Sequence, residues 1–153
     1  MCRILIVIIN TVEKPKTANT TKMQTKLGRV IILVNDYDEA FEFYQKNFFC
    51  KKMYESTTPD GQRFLHIGFT ENDGVGIWFL RADTNEQKTK VGKQTAGQPT
   101  LVVYTDDCES LCNHLQKNDV IIIEKLVATP ESKFFHCLDL YGNRLTVVEL
   151  PRN

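Results

Sequence analysis

Between Arg29 and Asp36 the chain reads Arg-Val-Ile-Ile-Leu-Val-Asn-Asp, a short β-branched and aliphatic run that ends in aspartate. The run predicts a buried strand, and the aspartate, a good acceptor for free backbone N–H groups, predicts the first turn of a helix. Glu39 follows Asp36 at capping-box spacing. Tyr37, Ala40, Phe41, Tyr44 and Phe48 then recur at intervals of three and four, so they share one face of that helix and predict that it is buried. Three more strand candidates follow at residues 51–56, 63–69 and 76–82. Pro59-Asp60-Gly61 and Glu71-Asn72-Asp73-Gly74 separate them, with glycine and asparagine suited to positive φ.

The arrangement recurs further along the chain. Thr100-Leu-Val-Val-Tyr-Thr-Asp-Asp107 matches the first strand and its aspartate at a separation of 71 residues, and Gln116-Lys117-Asn118 falls on Gln45-Lys46-Asn47 at the same separation. Lys133-Phe-Phe-His136 falls on Arg63-Phe-Leu-His66 at a separation of 70. The second copy has its own amphipathic helix, with Cys108, Leu111, Cys112 and Leu115 on the apolar side, and strand candidates at 120–126, 133–138 and 144–150 broken by Tyr141-Gly142-Asn143. The expected fold is therefore α+β, a βαβββ unit used twice. One helix per unit covers only one sheet face, so the opposite faces must curve around something else.

Composition narrows the function. Lysine plus arginine equals aspartate plus glutamate, 19 against 19, which gives no broad positive field for a phosphate backbone, and nucleic acid is not an expected partner. The odd set of Cys2, Cys50, Cys108, Cys112 and Cys137 reads as thiols of a reducing compartment, and a cytoplasmic location is expected. A metal pair at Cys108 and Cys112 competes with the simpler reading that both complete an apolar stripe. The apolar run within residues 1–10 is too short to span a bilayer and has no cleavage pattern of a signal peptide after it, so no membrane partner is expected. Residues 1–22 are expected to lie outside the fold, with Met23 an alternative beginning, 23–82 to form the first module, 83–98 a polar linker and 99–153 the second module. Phosphate-loop, zinc-finger and serine-elbow motifs are not found in the sequence.

Three stretches carry a family resemblance: Val34-Asn-Asp-Tyr-Asp-Glu-Ala-Phe-Glu-Phe-Tyr44, Tyr104-Thr-Asp-Asp107 and Asp139-Leu-Tyr-Gly-Asn-Arg-Leu-Thr146. With them, the chain from about Leu27 to Leu150 resembles the vicinal oxygen chelate superfamily of glyoxalase I, bleomycin-resistance proteins and extradiol dioxygenases. Leu140 stands where the family's Asp-Pro-Asp-Gly-Asn turn has proline. The resemblance implies paired modules forming an open, cup-shaped sheet, commonly in a homodimer, with a divalent metal held by the opening and closing strands of each module. The corresponding positions here are Arg29, about Trp78, Thr100 and Thr146. Such metals need converging imidazole, carboxylate or thiolate donors, and a guanidinium repels them. No metal or other cofactor is therefore expected.

Alternation along a strand fixes the rest of the cup once Arg29 is taken to face it. Ile31, Leu33, Leu80, Val102, Tyr104 and Val148 then line the hollow with Trp78, Thr100 and Thr146, while Val30, Ile32, Val34 and Glu149 point away. His136 lies three residues before Asp139, a position resembling one that extradiol dioxygenases use in catalysis, and His66 is its repeat mate. His114 is expected to be solvated. The expected ligand site is Arg29, His66, Trp78, Thr100, Tyr104, His136 and Thr146, with rings for area and Arg29 as charge partner for a small planar or anionic organic molecule. Whether the chain is an enzyme is left open. The alternative is a glyoxalase-like lyase or isomerase, with His136 or His66 as acid or base, or with an atypical divalent metal site.

Overall fold

The computed structural model describes residues 23–70 and 74–151; residues 1–22, including the proposed extension and Cys2, lie outside the described residues. The first unit runs β1 (Arg29–Val34), α1 (Tyr37–Phe48), β2 (Lys51–Thr57), β3 (Arg63–Gly68) and β4 (Gly76–Arg81). The second runs β5 (Leu101–Tyr104), α3 (Cys108–Lys117), β6 (Ile122–Ala128), β7 (Lys133–Leu138) and β8 (Arg144–Glu149). Each unit makes a four-stranded sheet, ordered β1-β4-β3-β2 and β5-β8-β7-β6, in which the opening strand pairs parallel with the closing one and the other pairs are antiparallel. This is the expected α+β fold of two βαβββ modules.

Both helices begin where the aspartates predict. The Asp36 carboxylate accepts from the Asp38 and Glu39 N–H groups, and Asp107 accepts from that of Ser110. The reciprocal capping box forms elsewhere: Thr84 and Gln87 cap a short helix, α2 (Asn85–Lys90), inside the segment read as a linker. Its length of 6 residues and its polar surface left no periodicity to read. Strand β6 begins at Ile122 rather than at residue 120, because Asp119 turns to φ 61° and the Val120 N–H bonds back to Leu115 O at 3.0 Å.

One apolar core lies under the helices of both units. Ile32, Val34, Leu65, Ile67 and Phe79 meet Ala40, Tyr44 and Phe48 in the first, and Val103, Phe135, Cys137, Leu145 and Val147 meet Cys108, Cys112 and Leu115 in the second. The cysteines on α3 thus complete an apolar stripe. Burial pushes the Cys108 thiol up to about 11 and that of Cys137 up to about 12, which keeps both protonated and poor as metal ligands.

A buried polar clasp joins the units. Tyr44 on α1 donates to Asp139 Oδ2 at 3.0 Å, and Asn143 binds the same carboxylate through its backbone N–H and its amide, each at 2.8 Å. The Tyr141 hydroxyl accepts from the Asp36 N–H and donates to the Asp36 carbonyl, both at 3.1 Å. The segment after α2 passes so close to this turn that a Cβ on Gly92, at φ +73°, would meet the Tyr141 carbonyl oxygen at 1.8 Å. No helix of the described residues is long and apolar enough to cross a membrane.

Candidate functional site

Strand alternation decides what the helix-free faces present. In β1, Ile32 and Val34 are fully buried under α1 while Ile31 is 44% exposed; in β4, Ile77 and Phe79 are buried while Trp78 and Leu80 are only partly so. In the second unit Val103, Leu145 and Val147 go under α3, while Val102, Tyr104, Thr146 and Val148 take the other face. Glu149 points toward the helix, as expected, and accepts from the Cys108 N–H at 2.8 Å.

In the first unit Arg29, His66 and Trp78 come together. His66 and Trp78 are directly opposed in the β3–β4 ladder, with ring centroids 5.3 Å apart. Phe64 stacks on Trp78 at 5.6 Å, and Tyr54, opposite His66 on β2, lies 5.2 Å from it. The result is a row of rings across three strands. Arg29 closes its end: Nε donates to His66 Nδ1 at 3.3 Å and Nη1 to Gly28 O at 2.6 Å. A guanidinium only donates, so Nδ1 accepts and the proton of the neutral ring sits on Nε2. Burial, then the neighbouring Arg29 charge, lowers the His66 pKa, so the ring is neutral at pH 7. His66 Nε2 and Trp78 Nε1 are both shut from solvent and have no acceptor among the described residues.

The second unit wires its histidine differently. His136 Nδ1 lies 3.0 Å from the Thr146 hydroxyl, and Nε2 lies 3.3 Å from Glu124 Oε2, which Arg144 also approaches at 3.4 Å. A carboxylate accepts only, so Nε2 again carries the proton and Nδ1 takes the threonine hydroxyl hydrogen. Burial, then Arg144, lowers the His136 pKa, against a smaller opposing pull from Glu124. His136 thus has a carboxylate partner in Glu124, one that spacing along the chain did not assign. Phe134 stands edge-on to it at 5.9 Å.

Thr100 sits just before β5, its N–H bonded to Arg144 O at 2.7 Å and its hydroxyl 3.2 Å from that of Thr95. Tyr104 joins neither group. It borders a cavity of about 550 Å³ between the end of α1 and α3, lined by Phe48, Phe49, Phe69 and Leu111 among others; none of the other six expected site residues lines it. Among the described residues no hydrogen bond or ring contact links the Arg29 group to the His136 group. The two sheets share no ladder.

The positions that correspond to the relatives' metal ligands do not fit a divalent ion. Arg29 is a cation engaged with His66, Trp78 Nε1 is a donor without a lone pair, and the Thr146 hydroxyl is committed to His136. Among the described residues no group of three or more histidine, cysteine, aspartate or glutamate side chains could hold a metal.

His114, expected to be solvated, is half-buried. Phe49 turns left-handed after α1, at φ 59°, and stacks on the His114 ring at 4.9 Å, while His114 Nε2 lies 3.0 Å from Lys46 O. It belongs to the seam between the units. Sequence reasoning also missed Tyr54, Glu124 and Arg144 as neighbours of the histidines.

Residues 26–147 match the Glyoxalase/Bleomycin resistance protein/Dioxygenase superfamily. An uncharacterized protein of Shewanella frigidimarina (strain NCIMB 400) is 28% identical over 134 residues, 84% of this chain and 96% of that one. Among solved structures, UcmS2 superposes with a TM-score of 0.71 at 19% identity, covering 82% of this chain and 98% of its own. TnmS3, an antibiotic binding protein from Streptomyces sp. CB03234, superposes with a TM-score of 0.65 at 17% identity, covering 84% and 98%. At these identities the superpositions speak for the fold, while the family match spans most of the chain, so the protein belongs to the Glyoxalase/Bleomycin resistance protein/Dioxygenase superfamily.

Proposed function

We propose that this chain is a small-molecule binding protein that takes a planar or anionic organic ligand against its helix-free sheet faces, without a metal, and works as a homodimer. One observation carries the reading: Arg29, at a position where relatives keep a metal ligand, puts a guanidinium on an uncovered aromatic face and binds His66. Sheet faces this apolar are normally covered. Here Ile31 is 44% exposed, Tyr54 50%, Val102 55% and Tyr104 68%. That TnmS3 is an antibiotic binding protein is consistent with a binding role, although it speaks for that protein.

The test is a melting screen of the purified protein against planar acids, phenols and neutral polycyclic compounds, with and without EDTA. A ligand at a hundred times its Kd adds about 2.7 kcal/mol of stability, a shift of roughly 5–10 °C for a chain of this size. At least one compound should produce such a shift, unchanged by chelator. A flat screen, or a response that EDTA abolishes together with stoichiometric bound metal, overturns the proposal.

A second reading draws on the Glu124–His136–Thr146 chain, whose carboxylate, imidazole and hydroxyl stand in the order that activates a hydroxyl or a base. It makes the chain a lyase or isomerase. Turnover of a bound compound that His136→Ala abolishes, with affinity kept, would favour it; binding without turnover would end it.

A further inference from the structure

The two modules are repeats, so each shows what the other has gained or lost. In the ladders His66 opposes Trp78 and Tyr54, whereas His136 opposes Thr146 and Glu124. Tyr54 therefore stands where the second module keeps a carboxylate. The cation is retained in both. Arg144 approaches Glu124 in the second module, and in the first its place is taken by Gly76, whose partner across the β1–β4 ladder is Arg29. The second module has imidazole, guanidinium and carboxylate together; the first has imidazole and guanidinium only. Among the described residues Arg29 has no carboxylate partner, and His66 Nε2 and Trp78 Nε1 have no acceptor.

We infer that the first module's helix-free face binds an aromatic carboxylate, whose carboxylate takes beside Arg29 and His66 the place that Glu124 takes beside Arg144 and His136. The inference rests on the small-molecule reading above and names its ligand class. The aromatic part of the ligand lies along the Phe64–Trp78–His66 row, which supplies apolar area and ring edges. Its carboxylate receives the charge-assisted bonds that a guanidinium gives best. Tyr54, half exposed and bonded through its hydroxyl to Ser56 at 2.8 Å, swings aside to admit it. Both the cation and the rings are needed, which separates this class from inorganic phosphate and from neutral polycycles.

Trp78 is the only tryptophan in the chain, so its fluorescence reports this face directly. The probes are 2-naphthoate, its neutral methyl ester and 2-naphthylmethylamine, titrated into the full-length protein. The acid should quench Trp78 with at least tenfold higher affinity than the ester, and the amine should bind more weakly still. Arg29→Gln should bring acid and ester to equal affinity. Tyr54→Glu supplies the missing carboxylate internally, so it should abolish acid binding and raise the melting temperature by roughly 2–4 °C. Tyr54→Gln, with the same size and no charge, should keep the preference for the acid. Equal affinity for acid and ester in the wild type overturns the aromatic-carboxylate class while leaving small-molecule binding intact. Quenching by none of the probes, with no gain in melting temperature from Tyr54→Glu, overturns the class as well; the broad melting screen then decides the binding reading on its own.

Discussion

At His66 the structure makes a statement about pH. Burial and the Arg29 charge lower its pKa, so the unfolded chain accepts a proton that the folded chain refuses. Unfolding then gains protons, and stability falls as pH drops below the ordinary histidine value of about 6.5 until the folded ring also charges. His136 shifts the same way and contributes the same sign. Comparing wild type with His66→Gln isolates the first ring: between pH 7.5 and 5.5 the wild type should lose more urea resistance than the variant. Equal losses would mean that His66 does not resist protonation. Trp78 and Arg29 beside His66, and Thr146 beside His136, follow from counting along the strands, but Tyr54 and Glu124 do not, and the reason is local. Strand β2 shifts register between Lys52 and Tyr54, and β6 between Ile122 and Glu124 and again before Val127. A bulge resets the alternation on which strand reading depends, so Tyr54 and Glu124 could not be assigned to the histidine face by counting. In β1, β4, β5 and β8, with continuous registers, counting was sufficient.

Between elements, the clasp from α1 to the β7–β8 turn explains how two modules without a shared ladder stay in fixed relation. Tyr44 is fully enclosed, and burial, then Asp139, raises its pKa well above the ordinary tyrosine range, so the hydroxyl remains a donor at any working pH. Tyr44→Phe leaves Asp139 with its bonds from Asn143 and from the Tyr141 N–H but removes the one that comes from the other module. The expected cost is about 1–3 kcal/mol, read as a lower denaturant midpoint with an unchanged slope. A loss near zero would show that the Tyr44 hydrogen bond is not needed, the units being held by the remaining contacts, among them the Tyr141–Asp36 bonds and the Phe49–His114 stack. The repeat and the helix caps were visible as sequence because each is set by neighbours a few residues apart. The clasp and the Phe49–His114 stack were not, since they join positions 95 and 65 residues apart whose meeting depends on the completed fold.

For the molecule as a whole, the unusual property is an apolar sheet face on each module that no helix covers. Within one chain the Arg29 group and the His136 group lie on different sheets that form no common ladder, and the apolar cavity that Tyr104 borders opens at the seam rather than between them. A second copy is the simplest cover for Val102 and Tyr104, both on β5 and both more than half exposed. Light scattering should therefore give twice the chain mass at micromolar concentration. The double variant Val102→Glu and Tyr104→Glu should reduce it to one chain without unfolding, because these side chains point away from α3 and the β5–β8 backbone bonds do not involve them. Like charges brought together across a two-fold contact repel, and the hydrophobic contribution of four side chains is lost at once. A wild type of single-chain mass would remove the homodimer from the proposal and make each sheet face a separate, open binding surface; the aromatic carboxylate would then be held by the first module alone, whose Arg29, His66 and Trp78 all come from one chain.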